Sequence, residues 1–321
     1  MPVPTAAQIV AAAEVLRRGG LVAFPTETVY GLGAAAENEA AVRRMFAAKG
    51  RPADHPVIVH LADAMQMHDW SNEVPKEALR LADCYWPGPL TLILRRNQRA
   101  LDVVTGGLDT VGLRVPGHPV ALELLRAFGG AIAAPSANRF GRVSATRAAH
   151  VREEFGAEVE IILDGGDCQV GLESTIVDLS GDEPAILRPG AITAEEVEAV
   201  CGQHLAAPGF GSPRCSGRLA SHYAPAARVE LMRADELVVR AQRLLSEGVR
   251  VAILGRNGGE PLDGAIELAL SVDLNKFAQE LYAALREVDR LACDVALIAL
   301  PPAAGLGAAI SDRLRKAAAP R

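Results

Sequence analysis

The sequence predicts an α/β protein of two domains, a larger one with a mixed sheet over residues 1–205 and a smaller one over 228–321. Three observations carry this. Short β-rich runs alternate with helical segments through the first 200 residues, each punctuated by Gly or Pro. The alternation stops at 206–227, AAPGFGSPRCSGRLASHYAPAA, which has no apolar periodicity and reads as a linker of a length that is usually functional or disordered. It then restarts and continues to the C-terminus, and a length of 321 residues agrees with two cores rather than one.

In order, a helix over 6–18 ends at Gly19 and Gly20, and Leu21–Phe24 follows as a strand. A helix is expected over 39–48, a strand over 57–61, and a helix over 75–86 opened by Pro75. Further strands are expected at 90–94, 111–115, 131–134, 161–163, 175–179 and 185–187, with helices at 118–128 and 146–155. The runs flanking 179–188 are close enough for a hairpin, which argues for a mixed sheet. Beyond the linker come strands at 229–232, 251–254 and 295–300 and helices at 235–247, 273–292 and 307–318, the order of a small three-layered α/β domain.

Composition limits the function. Hydrophobic residues make up 50% and charged residues 22%, the balance of a globular protein. The five cysteines are odd in number and scattered, with no CxxC pair, so a disulfide framework is not expected and a cytoplasmic location is. The apolar stretch Ile9–Leu16 is followed, not preceded, by Arg17 and Arg18, the reverse of a secretory signal. No apolar run reaches the roughly 18 residues that would span a membrane, and no membrane partner is expected. Net charge is −6, and residues 1–205 hold 18 basic against 26 acidic side chains, which argues against a protein whose affinity rests on nucleic-acid phosphates.

Polar residues cluster where strands end, the usual position of a ligand rim. Pro25-Thr26-Glu27-Thr28-Val29-Tyr30-Gly31-Leu32-Gly33 follows the first strand, as a binding loop or as a plain turn. Gly31–Ala36 fits GxGxxA, but the strand before it ends too early for a dinucleotide turn, and there is no GxxxxGK[ST] loop. Lys49 and Arg51 close the next helix, either stabilising its C-terminal dipole or neutralising a polyphosphate; Arg51 is expected to be exposed. His55 and His60 follow, and Ser136 and Asn138 sit together after another strand. Arg114, Arg188 and Glu173-Ser174-Thr175 add three more polar strand ends. Cys201, His204, Cys215 and His222 do not have the spacing of a zinc site, so no zinc is expected.

Seven ordered blocks, PTETVYGLG at 25–33, KGRP at 49–52, PVIVHL at 56–61, GLRVP at 112–116, PSAN at 135–138, ESTIVD at 173–178 and LRPG at 187–190, resemble the YrdC-like threonylcarbamoyl-adenylate synthase family. HYAP at 222–225 and GLGAAISDRLRKAA at 305–318 resemble the longer, two-domain form of that family. The resemblance implies a YrdC-like twisted mixed sheet with flanking helices and a smaller, Rossmann-like C-terminal α/β domain. It also implies the synthesis of threonylcarbamoyl-adenylate from L-threonine, bicarbonate and ATP for tRNA modification, with magnesium accompanying ATP and a separate machinery transferring the product. By the same resemblance Lys49 and Arg51 face the triphosphate. Thr28, His60, Arg114, Ser136 and Ser174 hold threonine, with Arg114 on its carboxylate. His55, Thr110, Asn138, Ser144, Arg188 and Tyr223 contact the nucleotide with Arg51. Direct tRNA binding stays open. The chain departs from the family pattern at Cys215-Ser216-Gly217, where Ser-Pro-Gly is frequent, and at 141–146, where prolines are frequent. An RNA-binding module is the competing reading. The acidic first domain and only 13 aromatic residues argue against it, as does the lack of zinc or acylphosphatase signatures against carbamoyl transfer onto a protein.

Overall fold

The computed structural model describes residues 3–209, 211–217, 221–256, 258 and 260–320. Two compact units emerge. One takes in the described residues up to Phe140, Ala145–Gln169 and 173–217; the other takes in Gly141–Ser144, Val170–Leu172 and the described residues from 221 onward. The segment read as a linker is therefore divided between them, with Phe210 and residues 218–220 outside the described residues.

The first unit is built on nine strands: β1 (Val22–Phe24), β2 (Gly31–Ala35), β3 (Ile58–His60), β4 (Leu90–Arg95), β5 (Thr110–Arg114), β6 (Ile132–Ala133), β7 (Ile161–Ile162), β8 (Thr175–Asp178) and β9 (Ala185–Arg188). They form one mixed sheet in the order β7-β1-β2-β6-β3-β5-β4-β8-β9, and β8 and β9 make the expected hairpin.

Register splits this sheet into two faces, because side chains alternate along each strand. One row runs Leu32 beside Ala23, then Ala34, Ala133, Val59, Leu113, Leu92 and Val177 across successive strands. All are fully buried, and they pack with Val42, Met45 and Phe46 of the helix Glu39–Lys49 and with Leu81 of the helix Lys76–Tyr85. The opposite face is divided. Over β1, β2 and β6 it is apolar, with Val22, Phe24, Ile132 and Ala134 packing under the helices Ala6–Arg17 and Pro119–Phe128. Over β3, β5, β4, β8 and β9 it carries His60, Arg114, Thr91, Ser174 and Arg188.

Strand β2 was not expected, since GLGAA has no β-branched or aromatic residue. Packing explains it. A Cβ on Gly33 would lie 2.8 Å from Ile132 Cγ2 and 2.9 Å from the Phe24 ring, so only glycine lets those side chains close over the sheet. The short helix Asp102–Thr105 and the helix Ala194–Cys201 were also unexpected, although Thr193 and Glu196 form a capping box that marks the second.

The second unit holds β10 (Arg228–Met232), β11 (Val251–Leu254), β12 (Ile266–Leu268) and β13 (Val295–Ala299), all parallel in the order β10-β13-β11-β12. Leu237, Ala241 and Leu244 of the helix Leu237–Ser246 pack on Val251, Ile253, Val295 and Leu297. The alternating residues Ala252, Leu254, Ala296 and Ile298 are equally buried, so both faces are covered, as parallel sheets require. This is the expected three-layered form; β12 is the strand of this unit that the sequence pattern did not signal.

Gly33→Ala is expected to destabilise the protein by ~1–3 kcal/mol through overpacking. Chemical denaturation monitored by circular dichroism measures it, and an unchanged midpoint would contradict the packing argument.

Candidate active site

The polar face of the first sheet is assembled by register. Parallel pairing of β3 with β5 sets His60 directly beside Arg114. Pairing of β4 with β8 sets Thr91 beside Ile176, one alternation from Ser174, and the Thr91 and Ser174 hydroxyls hydrogen-bond at 2.8 Å. Arg188 pairs with Ile176 from β9 and so joins the same face. The segment after β6 pairs with the start of β2 through a bridge between Gly31 and Ser136, while Ala137 N donates to Tyr30 O at 2.7 Å. That places the 26–30 loop beside the 135–138 segment.

Within the loop, Thr26 Oγ1 accepts from the backbone N of Thr28 and Val29, each at 3.2 Å, and donates to Val29 O at 2.6 Å. This local turn fixes the Thr28 hydroxyl, which lies 2.8 Å from Thr26 Oγ1. Both side chains are buried.

Charge at the site is buried charge. Arg114 is 3% exposed; its Nη2 donates to Glu27 Oε1 at 2.6 Å and its Nε to Gly88 O at 3.1 Å. Arg188, also 3% exposed, donates Nε to Ser174 O and Nη2 to Ser174 Oγ, both at 3.0 Å, and Nη1 to Ser216 O at 3.1 Å. Among the described residues it has no carboxylate partner. Arg51 donates Nη2 to Pro56 O at 2.8 Å and to Ser216 Oγ at 3.3 Å, with its guanidinium 5.8 Å from the Phe140 ring centroid. Ser216 thus ties Arg51 to Arg188. Arg51 is only 8% exposed, against the expectation of an exposed cation: Phe46, Phe140 and Ser216 enclose it.

Lys49 is buried and donates Nζ to Ser136 O at 2.5 Å and to Asn138 O, so two of its three donors hold the 136–138 backbone. Desolvation, then the neighbouring Arg51, hold its pKa well below the usual lysine value. His60 is held neutral for the same reasons. Burial, followed by Arg114, lowers its pKa to about 3; its ring meets Phe24 edge-on at 6.0 Å, and Nδ1 has no hydrogen-bond partner among the described residues. His55 stands edge-on to Phe140 at 5.2 Å, and burial with nearby Arg51 lowers its pKa too. Arg214, Cys215 and Ser216 close a small cavity over Thr91, Thr110, Gly112 and Ile176.

A family model described as "Telomere recombination" matches residues 14–190, and one described as "Threonylcarbamoyl-AMP synthase, C-terminal domain" matches residues 192–319. The threonylcarbamoyl-AMP synthase of Pyrococcus abyssi is 44% identical over 317 residues, spanning 95% of this chain and 92% of its own. That of Bacillus subtilis is 42% identical over 326 residues, spanning 98% and 94%. The chain belongs to the threonylcarbamoyl-AMP synthase family. The solved structure of P. abyssi Sua5 complexed with L-threonine is similar over the whole fold, with a TM-score of 0.92, 41% identity and coverage of 99% of this chain and 96% of that one.

In this member of the threonylcarbamoyl-AMP synthase family the first unit sets His60, Thr110, Arg114, Ser174 and Arg188 on one face of the sheet, joins Arg51 to Arg188 through Ser216 with His55 packed on the same Phe140 ring, and ties Lys49 to the backbone of Ser136 and Asn138, beside the loop that carries Thr28. Ser144 and Tyr223 belong to the second unit. There the Ser144 carbonyl accepts from Arg286 Nε at 3.3 Å. Tyr223, at φ +61°, stacks on Tyr282 with ring centroids 5.8 Å apart and the Arg313 guanidinium 5.3 Å from its own centroid. Two site residues escaped sequence reasoning as individuals. Glu27 lay inside a recognised block without a role, and Ser216 lay in a segment read as linker.

His60 gives a pH dependence to stability. An unfolded chain carries an ordinary histidine that takes up a proton as pH falls through about 6.5, whereas the folded one stays neutral down to about 3. The stability tied to neutral His60 is therefore complete above pH 6.5 and is lost as pH falls toward 3, at about 1.4 kcal/mol per unit within that window. Urea denaturation at pH 6 and pH 4.5 should show a shallower loss for His60→Asn than for the native chain; parallel slopes would contradict a neutral His60.

Proposed function

We propose that this protein joins L-threonine, bicarbonate and ATP into threonylcarbamoyl-AMP with release of pyrophosphate, the first step of threonylcarbamoyladenosine modification of tRNA. Its relatives carry that enzyme's name over nearly their full length. The observation that supports it most on this chain is Arg188, a buried guanidinium whose partners among the described residues are all neutral oxygens. Keeping such a cation from water is costly unless an anion completes the site. Arg51, joined to it through Ser216, extends the same cationic zone.

The polyphosphate takes this zone, with His55, Thr110 and Asn138 beside it. Threonine takes the zone of Thr28, His60, Arg114 and Ser174, its carboxylate on the Arg114 fork. Ser136 stands at the junction, and Lys49 holds the 136–138 backbone in place. The free amine attacks the carbon of bicarbonate, water leaves, and a carbamate results. A carbamate oxygen then attacks the α-phosphorus of ATP; the bond to the β-phosphate oxygen breaks and its electron pair leaves with pyrophosphate. The protein's contribution is to align two anions and offset their charge.

Magnesium enters with the nucleotide. Among the described residues no group of three or more His, Cys, Asp or Glu side chains is placed to hold a metal ion, and phosphates with water are the usual magnesium ligands. The product is a mixed anhydride of carbamate and phosphate, which a separate transfer machinery would pass to tRNA. No helix among the described residues is long and apolar enough to cross a membrane, and a cytoplasmic site of action fits ATP, threonine and tRNA.

The purified protein is expected to release pyrophosphate from ATP only when both threonine and bicarbonate are present. Arg188→Met should lower that turnover by at least about a hundredfold, the scale of a lost electrostatic contact in a transition state, while thermal stability holds or rises because an uncompensated buried charge is gone. Pyrophosphate release without threonine dependence, or a variant that loses stability but keeps its rate, would contradict the reading.

A further inference from the structure

The mechanism above leaves the buried carboxylate of Glu27 unused. Glu27 is 6% exposed and spends both oxygens: Oε1 accepts from Arg114 Nη2 at 2.6 Å and Oε2 from Gly117 N at 2.9 Å. Arg114 Nε is fixed separately by Gly88 O at 3.1 Å. Three loops meet here, and the fit is close: a Cβ on Gly117 would lie 3.4 Å from both Glu27 Cδ and Gly88 Cα. A planar guanidinium pinned at Nε and at Nη2 cannot turn in its plane, so its remaining N–H groups keep a fixed direction. The ion pair also cancels the charge of Arg114, while Arg188 keeps its own.

We infer that Glu27 is a positioning residue for amino-acid recognition: anchored by Gly117 N, it holds Arg114 at Nη2 while Gly88 O holds it at Nε, which orients the guanidinium for the substrate carboxylate and makes that half of the site neutral, suited to a zwitterion. This rests on the proposed reaction. The two zones then select by charge, a neutral pair for an amino acid that carries both signs and an uncompensated cation for a polyphosphate. Without Glu27 the Arg114 end would be a second free cation, able to attract phosphate.

Steady-state kinetics on the full-length protein with Glu27→Gln and Glu27→Asp tests this. Glu27→Gln keeps the shape and one acceptor but removes the charge. It should raise the KM for threonine about tenfold or more, the scale of one charge-assisted hydrogen bond, with kcat at saturating threonine and the KM for ATP within about twofold of native. Inorganic phosphate should become competitive with threonine in this variant. Glu27→Asp keeps the charge and should fall between native and Glu27→Gln; if Glu27→Gln fails to fold, Glu27→Asp alone decides, on a selective rise in the threonine KM. An unchanged threonine KM, or threonine and ATP constants that rise together, overturns the inference while leaving the reaction standing. A native protein without threonine-dependent pyrophosphate release overturns both.

Discussion

Parallel pairing of β3 with β5 sets His60 against Arg114 on one face and Val59 against Leu113 on the other. A slip of one residue would send the guanidinium into the apolar layer under the helices and turn Val59 toward the polar face. The buried row from Ala23 to Val177 makes that slip expensive, since each of its members would lose its packing at once. The core therefore does more than hold the sheet together: it sets which residues lie on the polar face, and the candidate site inherits its geometry from the register.

That face would be unstable if it were only a collection of buried cations. Its charges are managed in two ways. Arg114 is neutralised by Glu27, and His60 and Lys49 are pushed toward their neutral forms by burial and by neighbouring guanidinium groups. Arg188 is satisfied in hydrogen bonds, and among the described residues no carboxylate offsets its charge. Charge therefore changes across the sheet, from the neutral Arg114–Glu27 pair on β5 to the uncompensated Arg188 on β9.

Much of this was legible in the sequence because polar strand ends announce themselves against apolar runs. His60, Arg114, Ser174 and Arg188 each close or precede a β-rich segment, and the helices around them carry ordinary period and cap signals. What the pattern concealed depends on tertiary context. GLGAA reads as a turn until Phe24 and Ile132 are seen to need the missing Cβ atoms. Arg51 reads as a surface cation until Phe46, Phe140 and a stretch without periodicity enclose it. Ser216 has no local signal at all; only its position between two guanidinium groups reveals it. Glu27 was in view but mute, since a carboxylate's role follows from its partner, and the partner is 87 residues away.

The central claim is that an amino acid and a nucleotide meet on this one face of the sheet. A crystal structure of the protein grown with L-threonine and a non-hydrolysable ATP analogue tests it most directly. The account predicts the threonine carboxylate within hydrogen-bonding distance of the Arg114 guanidinium, with Glu27 still paired to it, and the phosphates against Arg188 and Arg51. Threonine bound away from Arg114, or phosphates bound away from Arg188, would contradict it.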